Sequence, residues 1–407
     1  MAKGEASVLA INGGSSSIKF AAYRMSEPPL RRLHGSVDRI GTRDAKLLFN
    51  DSSATEQGSR DLGDIDPAQA AAFLIDWLEH RLGFASIDAL GHRVATGGVD
   101  YVDPQRVTDE LLDELRRISA FAPEHLPFEI ALIDRFRARI PDRPHVVCFD
   151  TTFHRDMPAV ARILPIPRRL HAMGIARFGF HGLSYAYLME TLSREAGPEA
   201  AQGRVILAHL GNGASLAAVH RGKSIDTTMA FTPASGVPMS RRSGDLDPGL
   251  VGYLAHTEGM TAEAFNDMVN RRSGLLGVSE TSGDVRDLLA READDARAGE
   301  ALALFCYEVK KRIGAYAAAL GGLDTLIFAG GIGENASTVR ARICERLDFL
   351  GLELDDGKNG TGEPVISSDA SRVAVRVMRT NEEIMIAKTT ARVLGSSPMT
   401  PTRPTKE

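Results

Sequence analysis

A chain of 407 residues with 43% apolar and 25% charged residues is long enough for two or three ordinary cores, and its composition excludes a fibrous repeat or wholesale disorder. Its formal net charge of −5 offers no general attraction for nucleic acid, and basic clusters such as Arg168-Arg169 and Lys310-Lys311-Arg312 are short and scattered. Cys148, Cys306 and Cys344 are too widely spaced for a disulfide framework or a metal knuckle and read as reduced core thiols; with Glu5 where an apolar leader would run, and no run of about 18 apolar residues, the expected compartment is the cytoplasm.

The run SVLAINGGSSSIKFAAY (7–23) predicts a strand, a Gly/Ser turn and a returning strand. Apolar residues three and four apart predict helices over 68–82, 108–121 and 128–139, and 146–149 reads as a short strand ahead of Asp150-Thr151-Thr152. A helix over 182–196 stops at Gly197-Pro198, and 197–203 reads as a linker. The run VILAHLGNGASLAAVHRGKSI (205–225) then repeats the opening plan, which points to an internal duplication. Helices follow near 261–272, 284–292 and 299–320, then the apolar strand 325–329. The polar, Gly-rich segment 355–363 reads as a surface turn and the Pro/Thr-rich segment 396–407 as a disordered tail.

Both Gly-rich turns offer small residues and backbone N–H groups of the kind a phosphate needs: Asn12 with residues 15–17 in the first, Asn212 and Ser215 in the second. One Asn-Gly turn alone is more often an ordinary hairpin; two copies shift the balance toward phosphate. A third glycine-rich segment, TLIFAGGIGEN (325–335), follows a buried strand and is expected to open a helix at Glu334, so that Gly330, Gly331 and Gly333 admit a ligand, an adenosine end among the candidates. Neither Gly-x-Gly-x-x-Gly nor the P-loop pattern Gly-x4-Gly-Lys-Ser/Thr occurs, which argues against a Rossmann dehydrogenase and a P-loop kinase.

Taken in order, INGGSSSIKF (11–20), GHRVATGG (91–98), FDTTFH (149–154), RFGFHGLSY (177–185), HLGNGAS (209–215), RRSGDLDP (241–248), AGGIGEN (329–335) and RTNEE (379–383) resemble the motifs of the acetate kinase (acetokinase) family, within the acetate and sugar kinase/Hsp70/actin (ASKHA) superfamily. The resemblance covers almost the whole chain except the tail. It implies a two-domain α/β ASKHA fold, actin/hexokinase-like and of ribonuclease H type, with a duplicated βββαβαβα core. Residues 1–152 and a C-terminal helix 381–395 would form the N-terminal domain, and 153–380 a C-terminal domain with the nucleotide site.

The implied activity is that of an acetate kinase: reversible, Mg²⁺-dependent transfer of the ATP γ-phosphoryl to acetate, giving acetyl phosphate and ADP by direct in-line transfer, with Mn²⁺ as a substitute metal. The implied partners are these small molecules and a second copy of the chain in a homodimer, with no nucleic acid and no membrane. Carried over residue by residue, Asp150, His181 and Arg242 would be catalytic. Arg93 would bind the substrate carboxylate, with Ala95, His125, Phe180 and Pro233 around it, and Asn12 and Glu382 would place Mg²⁺. Lys19 would face phosphate, and the nucleotide would meet His209, Leu210, Gly211, Asn212, Gly213, Asp284, Val285, Arg286, Gly331, Ile332, Gly333, Glu334 and Asn335.

Elementary chemistry asks for similar groups, because phosphoryl transfer needs positioning and charge neutralisation, and guanidinium holds planar oxyanions in a fixed orientation. Read without the resemblance, Arg242 is equally well a surface arginine, His181 a core histidine and Asp150 a turn or cap residue. Thr380 and Glu383 have the spacing of a capping box, which leaves Glu382 for metal. Several positions depart from the family pattern. FAPEHLP places Glu124 and Leu126 around His125, Ala95 stands where a pocket valine is usual and Thr96 where histidine is usual, and GLSYAY and Ser240-Arg241 replace other family residues. Glu124 and Ala95 favour a longer or more polar acid, propionate or butyrate among them, as the alternative to acetate. A nucleotide-switch protein with no transfer chemistry is the remaining alternative.

Overall fold

Parallel strands covered on both faces are written as unbroken apolar runs, and such runs lie at the centre of both sheets. The computed structural model describes residues 6–14, 16–52 and 54–395. Ser15 of the first turn and the expected tail 396–407 lie outside the described residues. Contacts divide the chain into two compact units, one running to Thr152 and resuming at Asn381, the other Phe153–Thr380.

In the first unit β1 (Ser7–Gly13), β2 (Ser17–Arg24), β3 (Leu30–Asp38), β4 (Ala45–Asp51), β5 (Glu56–Gly63), β6 (Ala89–Val94), β7 (Gln105–Arg106) and β8 (His145–Phe149) form one sheet in the order β5-β4-β3-β2-β1-β6-β8-β7. In the second, β9 (Arg204–Leu210), β10 (Ala214–His220), β11 (Lys223–Thr227), β12 (Thr325–Ala329) and β13 (Ala374–Val377) run β11-β10-β9-β12-β13. The order β3-β2-β1-β6-β8 therefore recurs in the second sheet. In each, three antiparallel strands lead and two parallel strands are added beside the first. The repeated hairpins are the first two strands of each copy.

One face of the first sheet packs Leu9, Ile11, Ile18 and Phe20 against Leu74 and Leu78 of the helix Pro67–Leu82 and Phe136 of the helix Leu126–Arg139. Asp66 and Gln69 close a reciprocal capping box at the start of the former. The chain's last described helix, Glu382–Gly395, packs on β1, β6 and β8. Gly91 on β6 is what lets it approach: a Cβ there would lie 2.2 Å from Thr390 Oγ1 and 2.6 Å from Ile386 Cγ2.

Two expected loops are helical. Residues 197–203 contain the helix Pro198–Gln202, with proline at its first turn and Ala201 buried. The expected surface turn 355–363 contains the helix Asp356–Thr361, capped by Asp355 and ordered by the buried Asn359, so its polar composition reflects capping and a buried polar contact. All three cysteines are free and buried, and burial pushes the Cys148 thiol up to about 12. No helix among the described residues is long and apolar enough to cross a membrane.

A buried imidazole pair carries the first sheet's sensitivity to acid. His92 and His145 stack with ring centroids 5.2 Å apart, His92 Nε2 lies 2.9 Å from His145 Nδ1, and His145 Nε2 reaches the Ile140 carbonyl at 3.3 Å. That chain assigns the Nε2–H tautomer to both rings and leaves His92 Nδ1 as an unpaired buried acceptor. Burial lowers both pKa values, that of His145 to about 4. A depressed histidine binds protons more readily when unfolded, so its stabilisation is present above the ordinary histidine range and lost as pH falls toward the folded value. His145 alone is expected to remove about 2 kcal/mol between pH 7 and pH 5. Urea unfolding of wild type and His145→Gln at both pH values checks this: the variant should lose that part of the slope, and identical slopes would refute it.

Candidate active site

β1 and β2 pair so that Asn12 stands opposite Lys19, which sets both at one end of the first hairpin. The two N–H bonds of the Asn12 amide go to Glu382 Oε2 at 2.8 Å and Glu383 Oε1 at 3.0 Å, leaving its amide oxygen outside both bonds. The expected capping box is not formed. Asn381 caps this helix by accepting from Ile384 N–H at 3.1 Å, and Thr380 donates to Ser184 in the second unit. Asparagine at that position, placed beside the amide it must satisfy, takes over the cap and releases Glu383 to Asn12.

β6 and β8 pair in parallel and bring Arg93 beside Asp150. Arg93 Nη1 donates to Glu129 Oε1 at 2.6 Å and to the Gly13 carbonyl at 3.3 Å, and Nη2 donates to Asp150 Oδ2 at 3.1 Å. Two guanidinium N–H bonds, one on Nε and one on Nη2, have no partner among the described residues. Burial by itself would lower the Arg93 pKa, but Asp150, Glu129 and Glu382 more than offset it and raise it. Ala95 is buried, and His125 is the N-cap residue of the helix Leu126–Arg139, with Glu124 half-buried before it.

Glu129, absent from the expected set, is 2% exposed. It lies four residues before Ile133 and seven before Phe136, so it shares their core-facing stripe; an acid on that stripe was the available signal. Glu382 is raised by burial and by Asp150 and Glu383, with Lys19 and Arg93 pulling the other way.

The donor set suits magnesium. Asn12 keeps its amide oxygen outside both of its N–H bonds and Glu382 stands 2.8 Å from that amide's nitrogen, which sets two oxygen donors together at one end of the first hairpin. No group of three or more His, Cys, Asp or Glu forms a cage among the described residues. Mg²⁺ needs none, since it keeps most of its water and leans on one or two protein oxygens.

In the second unit His181 caps the helix Gly182–Ala196 in the left-handed region, at φ 59°, a conformation a non-glycine residue holds only when its surroundings impose it. His181 Nδ1 lies 2.8 Å from Ser215 Oγ, which also bonds the Tyr185 hydroxyl, and the ring stacks on His209 at 4.3 Å. His209 is held in turn by Ser184, 2.8 Å from its Nδ1. Ser215, expected to serve phosphate in the second turn, is here engaged by His181 and Tyr185, and Tyr185 was outside the expected set. A Cβ on Gly213 would sit 3.2 Å from His181 Nε2 and 3.7 Å from Arg242 Nη1, so imidazole and guanidinium converge where that residue has no side chain. Arg242 Nη1 also reaches the Pro233 carbonyl at 3.5 Å, and Phe180 is buried with its carbonyl taken by His154 at 3.1 Å.

The loops expected to meet the nucleotide adjoin because β9 and β12 pair in parallel. A Cβ on Gly330, at φ 76°, would meet the Leu210 carbonyl at 2.7 Å, whereas one on Gly331 would meet nothing within 4 Å. The helix here starts at Gly330, ahead of the expected Glu334, because Glu334 turns back to accept from Gly330 N–H and Asn335 donates to the Gly331 carbonyl. Ile332 lies half-buried between them. Arg340, fully buried and also unforeseen, donates to the carbonyls of Gly333 and Glu334 and to Asn359, which fixes the loop from beneath. In the loop that follows β9, Gly211 N–H is taken by the Gly213 carbonyl at 3.1 Å. Ser240 N–H reaches the Asn212 carbonyl and its hydroxyl the Gly283 carbonyl, so the Arg242 loop also touches the start of the helix Val285–Arg291. There Asp284 caps the helix and pairs with Arg286, whose hydrogen bond holds the Asp284 carboxyl below its ordinary range, while Val285 is buried.

A sheet duplicated in this order, with glycine loops gathered at the ends of its strands, is the two-domain α/β fold of the ASKHA class with its βββαβαβα repeat, and the chain is a phosphotransferase of that class. More narrowly, it belongs to the Acetokinase family, whose model matches residues 7–388. It is 43% identical over 399 residues to the propionate kinase of Citrobacter rodentium (strain ICC168), covering 96% of this chain and 98% of that protein. It is 42% identical over 386 residues to the acetate kinase of Rhodopseudomonas palustris (strain ATCC BAA-98 / CGA009), covering 94% and 96%. The crystal structure of a propionate kinase from Francisella tularensis subsp. tularensis SCHU S4 matches with a TM-score of 0.88 at 34% identity, over 95% of this chain and 100% of that one.

Proposed function

We infer that the chain transfers the γ-phosphoryl of ATP, reversibly and with Mg²⁺, to a short-chain carboxylate, and that it takes propionate more readily than acetate. A carboxylate oxygen attacks the γ-phosphorus, the bond from phosphorus to the ADP oxygen breaks, and an acyl phosphate and ADP leave. The first expectation was acetate. Relatives of equal similarity carry both substrate names, and the residue that tips the choice is Ala95, two residues on from Arg93 and just past the end of β6, where the smaller side chain leaves room for one more methylene.

In this reading the open N–H bonds of Arg93 orient the acid, Asn12 and Glu382 hold the metal, and His181 and Arg242 donate to the oxygens of the group in transit. The metal, when bound, neutralises phosphate charge that builds up during transfer. The loops at 209–213 and 331–335 hold the nucleotide, and Lys19 faces its phosphates. The active form is a homodimer, which sedimentation checks.

Trapping acyl phosphate with hydroxylamine in the presence of Mg²⁺ and ATP, across acetate, propionate, butyrate and glycolate, tests the activity. Propionate should give the highest kcat/KM. Ala95→Val should lower it about tenfold for propionate while sparing acetate, the usual worth of one methylene in a closed pocket. Hydroxamate peaking with acetate, with the ratio unmoved by Ala95→Val, would return the substrate to acetate. No hydroxamate from any acid would end the kinase reading in favour of a nucleotide switch.

A further inference from the structure

The transfer outlined above makes no use of Glu129, yet this one carboxylate reaches both parts of the proposed acid site. Its Oε1 accepts from Arg93 Nη1 at 2.6 Å and its Oε2 from Ala95 N–H at 2.8 Å. Each oxygen thus faces a donor, one on the group that would hold the substrate's carboxylate and one on the backbone of the residue that would bound its alkyl chain. We propose that Glu129 is a positioning residue that fixes these two parts relative to each other, and that it takes up a proton when the substrate's carboxylate binds Arg93. This rests on the carboxylate kinase reading.

The proton follows from counting charges around one guanidinium. Arg93 already meets Glu129 and Asp150 directly, with Glu382 acting on it from the last helix. An incoming carboxylate is a third direct anionic partner in a site with little water, and like charges so placed are relieved by protonating one of them. Glu129 can take that proton: burial has raised it to about 7 against the pull of Arg93 and the Ala95 N–H, with Asp150 adding to the rise.

The other charged groups on elements packed against its helix are paired elsewhere. Asp134 and Arg137 pair with Arg116 and Asp109 of the helix Asp109–Arg117, and Arg139 with Asp76 and Glu79 of the helix Pro67–Leu82, all further along and partly exposed. On its own element's start lie Glu124 and His125, and on β6 the neighbouring His92 is paired with His145. A protonated carboxyl keeps an accepting lone pair on each oxygen, so both positioning contacts survive the uptake. Glutamine does not reproduce it, because its amide nitrogen would face one of the two N–H donors.

Linkage fixes the sign. If binding the anion favours the proton, the proton favours the anion, so KM for the acid rises as pH climbs above about 7, by up to tenfold per unit, while KM for ATP does not follow. The experiment is KM for propionate and for ATP from pH 6 to 9 in wild type and Glu129→Gln, with thermal melting to confirm folding. It is joined by calorimetric titration of wild type with propionate at pH 7.5 in two buffers of different ionisation heat, which needs no variant. Expected are proton uptake on binding, and a variant whose propionate KM is about tenfold higher at pH 6.5 and flat with pH, with ATP KM unchanged. A wild type that makes acyl phosphate without proton uptake, or a variant that keeps the pH dependence or moves both KM values alike, overturns the role given to Glu129 and leaves the kinase reading standing. A wild type that makes no acyl phosphate overturns that reading and this inference with it.

Discussion

Arg93→Ala is expected to lower phosphoryl transfer to propionate by about a hundredfold or more and to destabilise the first unit by about 3–5 kcal/mol, the scale seen when one partner of a buried ion pair is removed. The loss on activity comes from the anchor that the proposed function gives the acid. The loss on stability comes from what remains: Glu129 and Asp150, 1% and 2% exposed at their side chains, would keep their burial and lose their shared counter-charge. Their proton affinities would rise, and a carboxyl whose folded pKa exceeds its unfolded value costs stability increasingly as pH rises between the two. The gap between wild type and Arg93→Ala in urea unfolding should therefore be wider at pH 8 than at pH 5.5. Equal gaps would mean that the two carboxylates do not depend on this guanidinium. Arg93→Lys restores a charge without the planar fork, so it should recover more of the stability than of the activity.

The second large effect is expected at a residue with no side chain. Gly91→Ala places a methyl 2.2 Å from Thr390 Oγ1, 2.6 Å from Ile386 Cγ2 and 3.3 Å from the Ile386 carbonyl. Two of these neighbours are fixed by the helix itself, since Thr390 Oγ1 donates to the Ile386 carbonyl at 2.8 Å, so the helix Glu382–Gly395 must move off β6. Overpacking of this kind costs about 1–3 kcal/mol. The functional cost should exceed the structural one, because Glu382 and Glu383 begin that helix and must stay within reach of Asn12. A raised Mg²⁺ requirement together with a lowered unfolding midpoint, both partly recovered by adding Thr390→Ala, would bear this out. A variant as stable as wild type, with an unchanged Mg²⁺ requirement, would count against it.

Glycine and asparagine loops were the legible part of this molecule, because they announce themselves wherever the chain must bend closely around something small. The hairpins at 7–23 and 205–225 and the loop at 329–335 could be found from residue type alone, and their repetition foretold the repeated sheet order. The misread features share a cause. At Thr380 the capping-box spacing was real, but Asn381 stood closer to the free N–H, and Thr380 had a partner 196 positions away in Ser184. Asn359 looked like turn composition until Arg340 supplied its partner. Glu129 is the sharpest instance: an acid inside an apolar stripe has no local explanation, and its reason lies at Arg93 on strand β6 and Ala95 just past it, 36 and 34 positions back. Local rules reach a few residues, whereas buried polar groups are paired by topology.

The return of the last helix to the first sheet sets an order of events during synthesis. Chains emerge from the N-terminus at roughly 5–20 residues per second and tend to fold domain by domain as they do. Here the unit begun first is interrupted at Thr152, and Phe153–Thr380 must be made before the strands β1, β6 and β8 receive the helix that covers them. The second unit, continuous in the chain, can close on its own schedule. The first waits with Gly91 and its neighbours uncovered, and the carboxylate of Glu382 arrives among its last parts. A chain cut before residue 381 would therefore lack the helix that covers β1, β6 and β8, and with it Glu382, the carboxyl proposed to hold the metal.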